Sequence, residues 1–305
     1  MCDDPVQDLI HLYEDGALKR RDLIRRLARY TGSVAAAMAA LQTAGLAQTA
    51  MPNCPAGTNV AEDDPGILGE SLTIGGTGGQ LFVYQARPRP ITATALPMVL
   101  VVHENQGLTP YIKDVTRRVA KAGYVAVAVD LLSRQGGTSK FPDATSAAAA
   151  YNKTLQEERI QDMVSTLDTF RQQPYIVMDK LAALGFCAGG NNVLNLASAT
   201  DWLNGAVVYY GPAPSSVDAV AKSKPALLLL YPELDRGTTT PLPAMLSALI
   251  AAQKRYELHI YPNANHAFHN DTSPRYDPAA ACDAWGKTLA FFGRTFGAIG
   301  GNILA

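Results

Sequence analysis

From Leu68 onward the chain alternates short, nearly continuous apolar runs with longer segments of mixed polarity. The apolar runs Pro97 to His103, Tyr124 to Asp130, Leu181 to Phe186, Gly205 to Tyr210, Ala226 to Tyr231 and Glu257 to Tyr261 read as strands. Between and after them, Tyr111 to Ala122, Asp143 to Gln173, the stretch beyond Phe186, Pro241 to Gln253 and Pro278 to Phe296 read as helices. A strand without polar alternation is covered on both faces, and a helical crossover returns the next strand in the same direction. The pattern therefore predicts an α/β chain with a mainly parallel sheet and helices on both faces. Ahead of these elements, Ser71 to Ile74 and Gln80 to Tyr84 flank Gly75-Gly-Thr-Gly-Gly79, which reads as a hairpin turn. Those glycines do not join a buried strand to a helix, so a phosphate-binding loop is not indicated.

Residues 1–66 follow a different pattern and are assigned to a helical N-terminal extension, with 67–305 as the main domain. Asp8 to Tyr13, Arg21 to Tyr30 and the alanine-rich Ser33 to Leu46 read as short helices. Lys19-Arg20-Arg21-Asp22-Leu23-Ile24 is similar to a twin-arginine export signal, which would imply a periplasmic protein. Arg25, Arg26 and Arg29 extend the charge beyond that pair, which favours an uncleaved extension of a cytoplasmic protein. The segment is too weakly apolar for stable membrane insertion, and its basic cluster reads as a solvated helix face.

The 305 residues are 48% hydrophobic and 17% charged, enough to bury a substantial core. A formal net charge of -1 provides no global field for nucleic acid or an anionic membrane. Cys2, Cys54, Cys187 and Cys282 lie far apart without C-x-x-C spacing, so neither a zinc site nor a dense disulfide framework is indicated. No metal and no cofactor is expected.

The candidate chemistry begins at Leu184-Gly-Phe-Cys187-Ala-Gly-Gly190, where an apolar strand meets a sharp turn and then a helix. Glycines on either side of a strained central residue lift its side chain out at the strand's C-terminal end. Amides at the helix start can then face an oxyanion, and the helix dipole is expected to lower the thiol pKa. A buried structural cysteine before a Gly-Gly turn is the alternative. Asp235 follows the run ending at Tyr231, where it could also serve a tight turn, and His266 follows the run ending at Tyr261. Cys187, Asp235 and His266 thus stand in the chain order nucleophile, acid, histidine used by α/β-hydrolases. His266 is preferred to His269 as the base because it lies just past the strand, where a loop reaches back to the elbow.

These residues resemble the dienelactone hydrolase family, which carries a G-[FY]-C-x-G-G elbow and a Cys-His-Asp triad on an α/β-hydrolase fold. His103-Glu104-Asn-Gln-Gly107-Leu is similar to that family's H-E-x-x-G-L loop, and Asp130-Leu-Leu-Ser-Arg134 to its D-L-x-x-R segment. The resemblance implies that Glu104 contacts the resting cysteine and helps gate thiolate formation, and that Arg134 meets a substrate carboxylate. The family's second arginine, shortly after the histidine, is Asn270 here, which weakens a strict preference for dienelactone. His103-Glu104 also begins like a zinc-protease motif, but Gly107 stands where the second histidine belongs.

The expected function is hydrolysis of a small ester or lactone through an acyl-enzyme on Cys187, with the backbone amides of Ala188 and, by resemblance, Asn105 as the oxyanion hole. A broad carboxylesterase or thioesterase is the alternative within hydrolases. A non-catalytic binding protein of the same fold, with Cys187 as a redox switch, is the alternative outside them.

Overall fold

The computed structural model describes residues 5–14, 18, 20–33, 36, 37, 40, 59–89 and 95–297. The chain divides into two units, Met1–Cys54 and Pro55–Ala305. In the first, helices α1 (Pro5–Glu14) and α2 (Arg20–Thr31) pack together. Leu23 and Leu27, four apart and so on one helix face, are buried against Val6, Leu9 and Leu18. Arg25, Arg26 and Arg29 occupy the exposed face. The alanine-rich helix anticipated from Ser33 to Leu46 lies largely outside the described residues.

Among the described residues, the second unit builds one sheet from β1 (Ile67–Gly76), β2 (Gly79–Pro88), β3 (Leu96–Val102), β4 (Val125–Val129), β5 (Ile176–Phe186), β6 (Leu203–Tyr209), β7 (Ala226–Pro232) and β8 (Tyr256–Tyr261). Their order is β1-β2-β4-β3-β5-β6-β7-β8. The hairpin strands β1 and β2 pair antiparallel, as do β2 and β4, and every later pairing is parallel. Helices α3 (Pro110–Lys121), α4 (Ala144–Tyr151), α5 (Gln156–Arg171), α6 (Ala188–Ala199), α7 (Val217–Lys222), α8 (Arg236–Thr239), α9 (Leu242–Ala251) and α10 (Pro278–Phe296) connect and close the sheet.

The apolar strands are explained by two dry faces. Met98, Leu100 and Val102 of β3 enter a core with Met163, Leu167 and Phe170 of α5 and Val193 of α6. Val99 and Val101 enter the opposite core, with Ile112, Val115 and Val119 of α3 and Phe292 of α10. Alternate side chains point to opposite faces, so a strand covered on both sides has no polar position to spare.

Some boundaries differ from the sequence reading. The single segment expected from Asp143 to Gln173 is two helices, α4 and α5, because the chain turns at Thr154, whose carbonyl and Oγ1 accept Arg159 Nη1 at 2.8 and 2.6 Å. Strand β5 starts at Ile176 rather than Leu181, with a register irregularity before the Met98–Leu181 pair. Helices α7 and α8, with six and four residues, are too short to leave a periodic signal. No helix among the described residues is long and apolar enough to cross a membrane.

Candidate active site

Glu104, Cys187, Asp235 and His266 follow β3, β5, β7 and β8 respectively, so the parallel arrangement delivers all four to the same edge of the sheet. Cys187 occupies φ 55°, ψ −122° between β5 and α6, a region that costs a non-glycine residue about 1–3 kcal/mol. Its N–H donates to the Tyr209 carbonyl at 3.0 Å, and its own carbonyl accepts from Gly190 N–H at 2.9 Å. The flanking glycines are required by close approach. A Cβ on Gly185 would stand 2.2 Å from the Gly189 carbonyl oxygen, and one on Gly189 would stand 2.3 Å from that of Val102.

Cys187 is the free thiol among the described residues, Cys282 being disulfide-bonded. Burial, with the charge of Glu104 behind it, pushes the Cys187 thiol up to about 12, against the opposing pull of the Ala188 N–H. The expectation that the helix start lowers this pKa is therefore corrected: desolvation and a neighbouring carboxylate outweigh one amide. At rest Cys187 is therefore a thiol.

His266 Nδ1 lies 2.5 Å from Asp235 Oδ2, both side chains being partly buried. Ala267, at φ 65°, turns the chain directly after the histidine. Asp235 also accepts from Thr238 Oγ1 at 2.9 Å and Gly237 N–H at 3.1 Å, so it caps α8 while holding the imidazole. Burial alone would raise its pKa, but the bonds from His266 and Thr238 outweigh it and hold the carboxyl below its ordinary value. With Nδ1 occupied, Nε2 is the nitrogen left for chemistry. His269 is buried elsewhere, its Nδ1 2.7 Å from Tyr111 Oη, and burial, with the Arg118 charge behind it, pushes it down to about 3.

Cys187 and His266 line a cleft of about 450 Å³ together with Glu104, Asn105, Asn270 and Arg275. Burial raises the Glu104 pKa despite a 2.9 Å hydrogen bond from Asn270 Nδ2 to its Oε2. Asn270 Oδ1 in turn accepts from Thr272 N–H and Oγ1, which fixes the direction of the amide. A larger cleft of about 690 Å³ opens at the other end of the strands, lined by Lys222, Ser223, Lys224, Lys254 and Arg255, with no cysteine or histidine among its described lining residues.

The loop carrying Glu104 is braced to the loop after β4. The Leu131 N–H donates to His103 Nε2 at 2.9 Å, and His103 Nδ1 lies 2.5 Å from the Glu104 carbonyl oxygen. The Leu108 N–H donates to Thr138 Oγ1, which donates to Asp130 Oδ1. Gly107, at φ 86°, is where Thr138 crosses. These contacts account for the His, Gly and Asp positions of the two loop motifs as architecture.

Arg134 is not brought to the cleft. Its Nη2 donates to Asp162 Oδ1 at 2.8 Å, its Nε reaches the same carboxylate, and Glu158 lies 3.7 Å away. Asp162 is 1% exposed, so this arginine neutralises a buried carboxylate. Among the described residues, the cation that lines the cleft is Arg275, which the sequence reading missed; it is exposed, and both Glu104 and Cys187 feel its charge. It stands nine residues past His266 on a loop folded by local turns, where no periodicity marks it.

The model of the dienelactone hydrolase family matches residues 82–296. A protein of Escherichia coli O157:H7 named "Putative carboxymethylenebutenolidase" is 30% identical over 265 residues, covering 84% of this chain and 97% of its own. A Bradyrhizobium protein named "Probable 2-oxo-3-(5-oxofuran-2-ylidene)propanoate lactonase" is 32% identical over 234 residues, 72% of this chain and 92% of its own. The crystal structure of a "Putative Dienelactone Hydrolase" from Klebsiella pneumoniae superposes with a TM-score of 0.69 at 29% identity, over 75% of this chain and 99% of that one. With its α/β-hydrolase fold and a match across most of the sheet, this chain belongs to the dienelactone hydrolase family of lactone and ester hydrolases.

Proposed function

We propose that the chain hydrolyses small carboxylic esters or lactones by covalent catalysis at Cys187. The observation that carries this reading is a strained, partly buried thiol sharing one cleft with a histidine already held by a carboxylate. The thiol keeps its proton at rest, so thiolate forms as His266 Nε2 takes that proton while sulfur attacks the substrate carbonyl. Negative charge then gathers on the carbonyl oxygen, facing the amides of Ala188 and Asn105. Collapse transfers the proton from His266 to the leaving alkoxide and leaves an acyl-Cys187 thioester. His266 next deprotonates water, which attacks the thioester and releases acid and thiol. Asp235 holds the imidazolium in both halves. Glu104, whose ionisation burial disfavours, adds repulsion to any early thiolate when it carries its charge. No metal or cofactor enters these steps.

Arg275 supports a substrate bearing an acid group, as do the relatives' printed names, both of which describe acidic lactones. The commitment of Arg134 to Asp162 leaves Arg275 as the one exposed arginine at the mouth among the described residues, which favours acceptance of neutral esters as well. The test is a hydrolysis panel of dienelactone, simple lactones, p-nitrophenyl acetate and an acyl thioester, run with Cys187→Ala alongside. Turnover by the native chain that vanishes in the folded variant is expected. A folded variant with full activity would reject the mechanism, and a native chain inert on the whole panel would favour a binding or redox role.

A further inference from the structure

Asn204, Ala226 and Arg255 place the cleft of about 690 Å³ at the starts of β6, β7 and β8, the sheet edge opposite Cys187. Two short basic segments meet there, Lys222-Ser-Lys224 and Lys254-Arg255. The first ends α7 and leads into β7. The second follows α9, whose last turn closes with Gln253 N–H on the Ile250 carbonyl at 3.0 Å and Lys254 N–H on that of Leu249 at 2.9 Å. This helix ending normally takes glycine at its left-handed position, and Gln253 holds it at φ 52°. The two segments are then locked together. The Leu227 N–H donates to the Arg255 carbonyl at 3.1 Å, while Lys254 Nζ donates to the Ser223 carbonyl and to Ser223 Oγ at 3.1 Å.

The lining therefore carries four cations and no carboxylate, on a chain whose formal net charge is only -1. None of the four is paired with an acid among the described residues. Helix ends account for part of this charge. Both α7 and α9 finish at the cleft, with Ser223 and Ala252 as their C-caps. Each C-terminus is equivalent to about half a negative charge, so together they answer about one cation in the four. Lys254 fills that role at Ser223, and Lys224 Nζ donates to the Asp201 carbonyl at 3.0 Å. Lys222 and Arg255 are exposed, and their side chains hold no hydrogen bond among the described residues. Burial, with the Arg255 charge behind it, pushes the Lys254 ammonium below its ordinary value.

The chemistry of the lining specifies what would fill it. Ammonium and guanidinium groups only donate hydrogen bonds, so the complement is a ligand made of acceptors. Asn204 adds a further donor, because its Oδ1 already accepts from the Leu181 N–H at 2.8 Å and leaves Nδ2 for the cleft. The volume falls in the range of small-molecule sites. Salt screens an exposed single charge, whereas a multivalent anion engages several cations at once. We propose that this cleft binds a small multivalent oxyanion, an oligophosphate or a tricarboxylate, held by Lys222, Lys254 and Arg255. The site lies at the opposite sheet edge from Cys187, so the proposal does not depend on the hydrolytic reading.

The test is calorimetric titration of the full chain with inorganic pyrophosphate and, separately, with citrate, both at the same ionic strength. Saturable binding of one anion per chain is expected for at least one of them, and the tighter of the two identifies phosphate or carboxylate as the chemistry recognised. Lys222→Gln combined with Arg255→Gln removes two cations without breaking a hydrogen bond among the described residues. That pair should weaken binding by about tenfold or more, the value of one charge-assisted contact. Lys140→Gln combined with Lys153→Gln removes the same charge from exposed positions away from the cleft, and should change the affinity by no more than about twofold. Failure of both anions to saturate, an affinity unchanged in the first pair, or equal weakening in both pairs would each overturn the proposal. The readout involves no turnover, so a chain that hydrolyses nothing would leave this result standing.

Discussion

Replacing Cys187 separates the cost of its backbone from the value of its sulfur. Cys187→Ala removes the proposed nucleophile but keeps a Cβ at φ 55°, ψ −122°, so the strain of about 1–3 kcal/mol remains. Cys187→Gly removes the strain as well. Against that gain stand about 0.4–1 kcal/mol for the looser unfolded chain and at most about 0.8 kcal/mol for one lost methyl contact. With the strain at mid-range, the glycine variant should be the more stable of the two by about 1 kcal/mol, or about 2–4 °C in melting temperature for a unit of this size. An alanine-to-glycine change elsewhere in a helix or strand has the opposite sign. The assay is paired thermal and urea melts of both variants, each inactive in hydrolysis. A glycine variant melting below the alanine variant would refute the strain argument and, with it, the idea that the fold holds this residue against its preference.

Asp235→Asn should lower kcat by two orders of magnitude or more with little change in KM, because the imidazolium loses its counter-charge; equal losses in both would point to a disturbed cleft. Arg134→Ala should destabilise the fold by about 3–5 kcal/mol in urea titration by stranding buried Asp162, while folded enzyme keeps its activity on acidic and neutral substrates alike. Arg275→Ala, by contrast, should raise KM for a carboxylate-bearing lactone by about tenfold and leave p-nitrophenyl acetate unaffected, as steady-state kinetics on both will report. The raised pKa of Glu104 means that the fold favours its protonated form, a contribution present below the ordinary carboxyl range and lost as pH rises through the raised value. Glu104→Gln should therefore gain more in melting temperature over the native chain at pH 8 than at pH 4, and a pH-independent difference would contradict the shift.

The strands were legible because burial on both faces leaves no polar position, and the elbow because only glycine fits within 2.3 Å of backbone oxygens. Asp235 and His266 were legible from their places after strands, since a parallel sheet sends every such position to one edge. What failed were partnerships across sequence distance. Nothing local to Arg134 reveals Asp162 on a helix 28 residues away, and nothing near Arg275 announces that its loop folds back to the thiol. The sign of the Cys187 shift was missed for a similar reason. A helix start is visible in the sequence, whereas the desolvation that outweighs it comes from the folded surroundings. Asp130 and Gly107 were recognised as motif positions, but their work in bracing two loops through Thr138 required coordinates.

The place of β8 bears on how activity is lost under stress. Among the described residues it is an edge strand, paired with β7 alone and only partly buried along most of its length, and it delivers His266 just beyond its end. Cys187 instead hangs from β5, paired on both sides in the interior of the sheet. An edge strand can open without unravelling the centre, so detachment of His266 from Cys187 costs less than global unfolding. Heating should accordingly silence hydrolysis before circular dichroism records any melting, with amides of β8 exchanging hydrogen well ahead of those in β5. The thiol would then outlast its own catalysis, still seated at an intact elbow.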